Sequence, residues 1–466
     1  MKHIDIANNK LYLVLVGVLF FVFWMFGFLL ENTILVENIA LLIIGLLVCA
    51  SLIFTNRINN ILIFVLLVPF MFARPLDPLS IPVMIYVACG LLVVGLVVHF
   101  IKTKPKFKQG TLLYGLCFLG LGMILGGITM KSDFILYQVA IMLFVVIMFV
   151  IVYIYFTSTL EKIEFENIAF MITVLGVFIS LQGVIFYLTH ENLMEIITDK
   201  VMNVGWGSTN NIALMLLLTF PFTFYLYINA NKSNVIPYLF TLILQAIIFI
   251  FTYSRGGYVA FAIELTLIFI LTLIINKTNK IIIKRTISLY ASCFTLIILI
   301  ILGILLINKE YFNKFIEMVS HFDFDSFNGR LNVYKEVLQD MKSNLFFGKG
   351  VLFSMFTIED EIQTYTWGHS TIIQTFTTMG IFGTLGLLYH FFEKYYVLLR
   401  KPNPEKIVIF LGLLGSGLYG LVDVSYYFIN YMIVLVLIFI VCEPYFYNWK
   451  LEKDNKITKN KKTLEN

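Results

Sequence analysis

The chain has 466 residues, of which 60% are hydrophobic and 13% are charged, and its mean hydropathy is +0.91. Soluble domains carry about a quarter charged residues, so this composition excludes a soluble fold and makes the lipid bilayer the main solvent. The formal net charge of +5 requires no nucleic-acid partner. All five cysteines lie in apolar runs, which argues against a disulfide framework and against a zinc site.

Fourteen apolar runs are predicted to be membrane helices, since crossing the bilayer core takes roughly 20 apolar residues and lipid-exposed backbone must be satisfied within its own segment. In chain order the runs are 11–30, 38–55, 60–73, 81–101, 110–130, 134–156, 168–190, 211–229, 235–253, 258–275, 286–307, 370–392, 407–422 and 425–443. The third contains Pro69 and is short, so it is predicted either to span or to re-enter the membrane, as is the run after Asp423. The predicted fold class is an all-α integral membrane protein with about 14 (12–14) transmembrane helices.

Lysine and arginine set the predicted orientation, because cytoplasmic loops carry an excess of them. With the N-terminus in the cytoplasm, the inward segments hold 23 of the 33 basic residues and the outward segments hold 10. Both termini are then cytoplasmic, and the basic runs anchor the topology beside anionic lipid. We predict one polytopic membrane domain over 1–443 and a basic cytoplasmic tail over 444–466.

The longest outward connection, 308–369, is predicted to be an extracytoplasmic loop that carries two amphipathic helices. Apolar residues recur at helical spacing over 310–320 and again over 330–343. Helices of this kind either lie on the outer surface of the bilayer or cover a cavity there.

The sequence YSRGGYVA, at 253–260, is predicted to form a tight outward turn between the ninth and tenth runs. Its glycines, Gly256 and Gly257, allow the backbone to turn sharply and to approach a ligand closely. Arg255 projects from the outer membrane boundary, and the structural alternative is an arginine that snorkels at a helix end. An arginine in a short outward loop opposes the positive-inside bias, which weakens this alternative.

Two further side chains on the outer face have the chemistry of a site. Arg330 is predicted at the start of the second loop helix, where free N–H groups favour anions and a guanidinium can bind phosphate bidentately. His369 precedes Ser370, the predicted N-cap of the twelfth run, and an imidazole can accept a proton near neutral pH. The structural alternatives are a solvated arginine and an interfacial histidine without a function.

Three other acidic features of the sequence are candidates for a function. Glu264 is an ionisable group inside a membrane run and therefore a functional candidate, either in catalysis or in lining a polar cavity. Asp423, at the last outward turn, is predicted to pair with an arginine or to orient the site. Asp323 and Asp325 lack a third ligand at a recognisable spacing, so no metal site is predicted.

Five short motifs, in their order and on their shared outer face, resemble the O-antigen ligase and Wzy-type polymerase superfamily. They are Ser254-Arg255-Gly256-Gly257, Gly329-Arg330, Gly348-Lys349-Gly350, His369-Ser370 and Gly380-Ile381-Phe382-Gly383. The resemblance covers about residues 200–430, and Asn210 and Asn211 are similar to the asparagines that enter an earlier family helix. The commonest family pattern has asparagine where this chain has Ser370, so the resemblance does not imply an amide contact to a sugar at this position.

The resemblance implies a GT-C-like glycosyltransferase of the bacterial cytoplasmic (inner) membrane that uses a polyprenyl-diphosphate-linked oligosaccharide on the outer face. It implies that Arg255 and Arg330 bind the diphosphate and that His369 is the catalytic base. Two arginines can stabilise the leaving group in place of a metal, so no metal and no cofactor are expected. The expected partners are that donor, a glycan or glycolipid acceptor, membrane lipid and other polysaccharide export or chain-length proteins.

Three functions remain open at this point. A polymerase joins lipid-linked repeat units into a cell-surface polysaccharide, whereas a ligase moves a finished glycan to another acceptor. A transporter or flippase of lipid-linked oligosaccharide usually has broken helices and polar groups near the membrane midplane. The polar candidates here cluster at one face, so we favour glycan transfer, and the short outer loop favours polymerisation.

Overall fold

The computed structural model describes residues 8–30, 33–55, 57–74, 83–128, 135–192, 195, 199–307, 309–320, 334–335, 338–339, 344–350 and 369–446. Regular structure in these residues is helical, apart from an antiparallel bridge between Asn203 and Ser208. The α-helices are α1 (Lys10–Leu29), α2 (Thr33–Thr55), α3 (Leu62–Leu67), α4 (Met84–Thr103), α5 (Leu113–Ile128), α6 (Ile135–Val146), α7 (Tyr153–Thr159), α8 (Phe165–Thr189), α9 (Thr209–Asn229), α10 (Val235–Ile250), α11 (Arg255–Ile275), α12 (Lys280–Ile307), α13 (Lys309–Ser320), α14 (Thr371–Leu399), α15 (Pro404–Tyr419) and α16 (Ile429–Phe446). A π-helical stretch, Ile147–Val152, joins α6 to α7.

Each of the fourteen predicted runs coincides with helical residues. Within the described residues, ten helical segments are long and apolar enough to cross a membrane. The other four are shorter: Ile58–Phe70, Leu113–Ile128, Val235–Ile250 and the 16-residue α15. An all-α multi-pass membrane protein is therefore confirmed, while the count of fourteen crossings stays a prediction.

The short third run follows α1 along its length. Its beginning lies beside the start of α1, where the Tyr12 hydroxyl donates to the Asn60 carbonyl at 2.7 Å. Near the other end of α1, the Trp24 indole donates to the turn that contains Gly205. Gly205 in turn lies against the backbone that follows the third run. This segment, Ile58–Phe70, combines 3-10 and α-helical pieces and is almost entirely buried, which is the condition for irregular backbone at membrane depth.

The contacts divide the chain into two compact units. The first comprises Met1–Lys104, Glu166–Gly329 and Leu411–Met432, and the second comprises Pro105–Phe165, Arg330–Phe410 and Ile433–Asn466. At the centre of the first unit is α9, nearly all of whose side chains are buried. A single membrane domain over 1–443 stays a prediction.

Contacts within the first unit join residues that the alternating topology assigns to the same face. Asn210 and Asp423, both predicted outward, are hydrogen-bonded at 2.5 Å. At the other end of α9, the Tyr227 hydroxyl donates to the carbonyl of Arg285, near the start of α12, at 3.2 Å. Both contacts agree with the predicted alternation of these segments, and the topology as a whole remains a prediction.

In the second unit, α14 is interrupted at Gly380, whose φ of 65° and ψ of −161° are not helical. The segment 344–350 fills the interruption. Its Lys349 amide donates to the carbonyl of Thr377 at 2.9 Å, and on the far side of the break the amide of Ile381 donates to a carbonyl of the same segment at 2.9 Å. The two glycine motifs thus meet, and protein groups satisfy the backbone that the break exposes, as a membrane interior requires.

Replacement of Gly380 by alanine is expected to destabilise the fold by at least about 2 kcal/mol, since its backbone conformation is essentially restricted to glycine and the added methyl is overpacked. A Cβ there would lie 2.4 Å from the carbonyl carbon of Phe346. Gly303→Ala in α12 is the control, because a Cβ at Gly303 meets no atom within 4 Å. Thermal unfolding in detergent should show a lower midpoint for Gly380→Ala alone. Equal midpoints for the two variants would contradict this account.

Carboxylates from two helices satisfy the backbone at the start of α5. Glu443 accepts from the Thr111 amide at 2.7 Å and from the Tyr153 hydroxyl at 3.1 Å. Glu393 accepts from the Gly115 amide at 2.8 Å. The first amides of a helix have no partner within the helix and favour negative charge, so these contacts fix α5 against α14 and α16.

Candidate functional site

Arg255 is the first residue of α11, and a strained turn determines its position. The preceding Tyr253 has a φ of 49°, a left-handed conformation that is uncommon for bulky residues. Tyr253 is buried, and Arg255 is the one residue of the sequence YSRGGYVA whose side chain is charged at neutral pH. The Arg255 side chain is half-buried, and within the described residues its guanidinium has neither a hydrogen-bond nor an ion-pair partner.

Ser254 occupies the N-cap position of α11 but does not cap it. Its side chain makes no hydrogen bond to the amides of its own helix. The buried hydroxyl instead donates to the Tyr419 hydroxyl, at the end of α15, at 3.2 Å. A serine cap normally stabilises a helix by about 0.5–2 kcal/mol, so this turn gives up a local contact for a contact with a distant part of the chain.

A continuous polar network starts at Ser254 and joins the ends of three helices that the predicted topology places on the outer face. Tyr419 donates to Oδ2 of Asp423 at 2.9 Å, and Nδ2 of Asn210 donates to the same oxygen at 2.5 Å. Lys200 donates to Oδ1 of Asn210. We call these five residues the outer network: Lys200, Asn210, Asp423, Tyr419 and Ser254.

The outer network contains three residues that the sequence singled out and two that it did not. Ser254, Asn210 and Asp423 were predicted separately, and the structure brings them together. The sequence holds a signal for each of the other two residues. Lys200, like Arg255, is a basic residue in a connection predicted to face outward, and Tyr419 lies about one helical turn before Asp423.

The two glycines of the SRGG motif allow helices to pack closely. A Cβ on Gly256 would lie 2.4 Å from Cγ2 of Val422, and one on Gly257 would lie 3.2 Å from the Phe249 ring. Gly256 therefore brings the first turn of α11 against the chain just after α15. The left-handed residue of the turn is Tyr253, so the glycines serve this packing rather than the reversal itself.

Two predicted supporting residues lie apart from the outer network's hydrogen bonds. Asn211 follows Asn210 in α9, and its buried Oδ1 has no partner in the described part of the chain. Glu264 is 1% exposed, and neither of its carboxylate oxygens has a partner among those residues. Its carboxyl group lies against Gly415, where a Cβ would be 2.8 Å from the carboxyl carbon.

In the second unit, His369 precedes α14 with a φ of 45°. It is half-buried, and its carbonyl accepts from the Tyr334 hydroxyl at 3.3 Å. Ser370 holds the N-cap position, as predicted, but its side chain makes no cap hydrogen bond. Strained backbone at a non-glycine residue is a feature that recurs at functional sites.

The outer loop is described in part. Its first predicted helix is α13 (Lys309–Ser320), in which Phe312 packs against the buried pair Tyr253 and Ile304. Arg330 with Gly329, and Asp323 with Asp325, lie outside the described residues, as does most of the second predicted loop helix. α13 therefore lies on the turn that precedes Arg255.

Within the described ranges, no three His, Cys, Asp or Glu side chains lie together as the ligands of one ion would. Independence from metal remains a prediction.

Part of the chain is similar to a known protein family. Residues 240–388 match a family model described as O-antigen ligase. The matched segment begins in α10, ends in α14, and contains Arg255, Arg330 and His369. No curated protein and no solved structure matches the chain. The family match supports the superfamily that the motifs resemble.

Proposed function

From this support for the O-antigen ligase and polymerase superfamily, we propose that the chain is a membrane glycosyltransferase that polymerises repeat units of a cell-surface polysaccharide. Its donor is a polyprenyl-diphosphate-linked oligosaccharide, and its acceptor is a glycan or glycolipid. It acts at the outer face of the bacterial inner membrane, with both termini in the cytoplasm. Chain-length and export proteins are its proposed partners.

The proposed reaction exchanges one bond to the anomeric carbon of the donor for another. The bond between that carbon and the diphosphate oxygen breaks, and a glycosidic bond to the acceptor oxygen forms. His369 takes the proton of the acceptor hydroxyl. The polyprenyl diphosphate leaves with the bonding electron pair, and Arg255 and Arg330 stabilise its charge.

The observation that carries the proposal is the environment of Arg255. A half-buried guanidinium without a partner in the described residues, at the first position of a membrane helix, is suited to an anion. Its planar donors match a phosphate oxygen pair. The family match contains this residue together with Arg330 and His369.

A ligase is the alternative, because it uses the same donor and differs in its acceptor. The loop 308–369 has about sixty residues, which suits an acceptor that the membrane itself presents and therefore favours a polymerase. Transport is the third possibility, and the break in α14 is a feature of transporters. The backbone on both sides of that break is hydrogen-bonded to the segment 344–350, which argues against an ion site there.

A direct test supplies purified protein with defined polyprenyl-diphosphate-linked repeat units. A ladder of products is expected from a polymerase, whereas one transfer to a different lipid would indicate a ligase. The absence of any transfer would contradict glycan transfer and favour transport.

The topology makes a separate prediction for intact cells. A cysteine introduced at Ser326 or Lys342 should react with a membrane-impermeant thiol reagent, whereas one at Thr278 should not. The unmodified chain is the control, since its own cysteines lie in apolar runs. Reversed labelling would contradict the proposed orientation and the proposed face of the reaction.

A further inference from the structure

We propose that Tyr419 is a positioning residue that holds Arg255 in the orientation that binds the donor diphosphate; this inference rests on the proposed function. Within the described residues, Tyr419 makes no hydrogen bond to the side chain of Arg255. It acts through the hydroxyl of Ser254, the residue directly before Arg255.

The hydrogen bonds of Tyr419 have a fixed direction. A carboxylate can only accept, so Tyr419 donates its one hydroxyl proton to Asp423. Its oxygen is then the acceptor for Ser254. In this arrangement the Ser254 hydroxyl donates to Tyr419, and its oxygen accepts from no amide of α11.

The contact matters because Ser254 occupies the position from which a serine usually caps a helix. A cap fixes the entry angle of the chain locally, through an amide of the first turn. Here the entry is fixed from α15 instead, and Gly256 lets the same turn of α11 contact Val422. The anchor itself is held, since Asp423 also accepts from Asn210. A local preference given up in this way is expected at functional positions.

The chain provides a matched control in Tyr431. Its hydroxyl is hydrogen-bonded to Ser416 of α15 at 3.0 Å, and Tyr431 is as deeply buried as Tyr419. Tyr431→Phe therefore removes a buried serine–tyrosine hydrogen bond from the same region without touching the outer network. Any loss that comes only from weaker packing should be common to both variants.

The test measures the Kd of farnesyl diphosphate, a short polyprenyl diphosphate, for the full chain in detergent by titration calorimetry. Tyr419→Phe should raise the Kd about tenfold, the worth of one to two hydrogen bonds, and Ser254→Ala should do the same. Tyr431→Phe should leave the Kd within about twofold. In a chain that already carries Arg255→Ala, Tyr419→Phe should not raise the Kd further. Because Tyr419 acts through Arg255, the effects of the two substitutions on the Kd should not add.

Two results would overturn the inference alone: equal Kd values for Tyr419→Phe and Tyr431→Phe, or full additivity of Tyr419→Phe with Arg255→Ala. A different result would overturn the proposed function as well. If Arg255→Ala left the Kd unchanged, or if the unmodified chain did not bind the probe, the diphosphate site itself would be absent.

Discussion

Replacing His369 by alanine is expected to lower glycan turnover by about 10²–10⁴-fold, the usual contribution of a general base. The acceptor hydroxyl would then have to lose its proton to water during attack. Donor binding should persist, since in the proposed mechanism the arginines bind the diphosphate. The measurement is the rate of product formation from a defined lipid-linked repeat unit, together with the Kd of farnesyl diphosphate.

His190 offers a matched control for this variant. It follows α8 directly, is predicted on the outer face, and contacts Glu195 and the Phe186 ring. His190→Ala should therefore retain turnover if the loss is specific to His369. A folded His369→Ala protein that works at nearly the normal rate would leave His369 as a residue of the membrane surface without a role in proton transfer.

The helices of this protein could be predicted because hydropathy acts locally. A run such as 258–275 has to be helical in lipid whatever its neighbours are, and α11 (Arg255–Ile275) has nearly those bounds. Hydropathy does not predict the third run in detail. Its 3-10 and α-helical pieces depend on being buried by protein, and no periodicity within Ile58–Phe70 shows that burial.

For the outer network, the sequence predicts individual residues but not the hydrogen bonds that join them. Ser254 and Asp423 were each singled out by position at an outward turn. The hydroxyl that joins them belongs to Tyr419, which lies 165 residues from Ser254. Which outward turns are neighbours is decided by helix packing between distant segments, and a single sequence does not contain that information.

The glycine motifs show the same limit. Glycine at Gly348 and Gly380 predicts unusual backbone or close approach, and both positions have positive φ. The sequence does not show that the two approach each other. That pairing follows from the break in α14, whose exposed backbone groups need partners that 344–350 provides.

Replacing Arg255 by alanine should lower kcat/KM for the donor by about 10²–10³-fold, the range seen when one preorganised donor to a developing negative charge is removed. Both the bound diphosphate and the leaving group lose a guanidinium, so the Kd of farnesyl diphosphate should rise together with a fall in turnover. Arg255→Lys should recover part of the loss, since it restores the charge without the planar fork.

The control for this prediction is Arg285, near the start of α12 in the same unit. Its guanidinium donates to the carbonyl of Ile228 at 2.7 Å. Arg285→Ala removes an arginine that holds backbone together and should affect stability more than donor use. If Arg255→Ala and Arg285→Ala lowered kcat/KM equally, the loss would be structural in both. If Arg255→Ala retained normal turnover and binding, the arginine would only be snorkelling at a helix end, and the diphosphate would have to be bound without it.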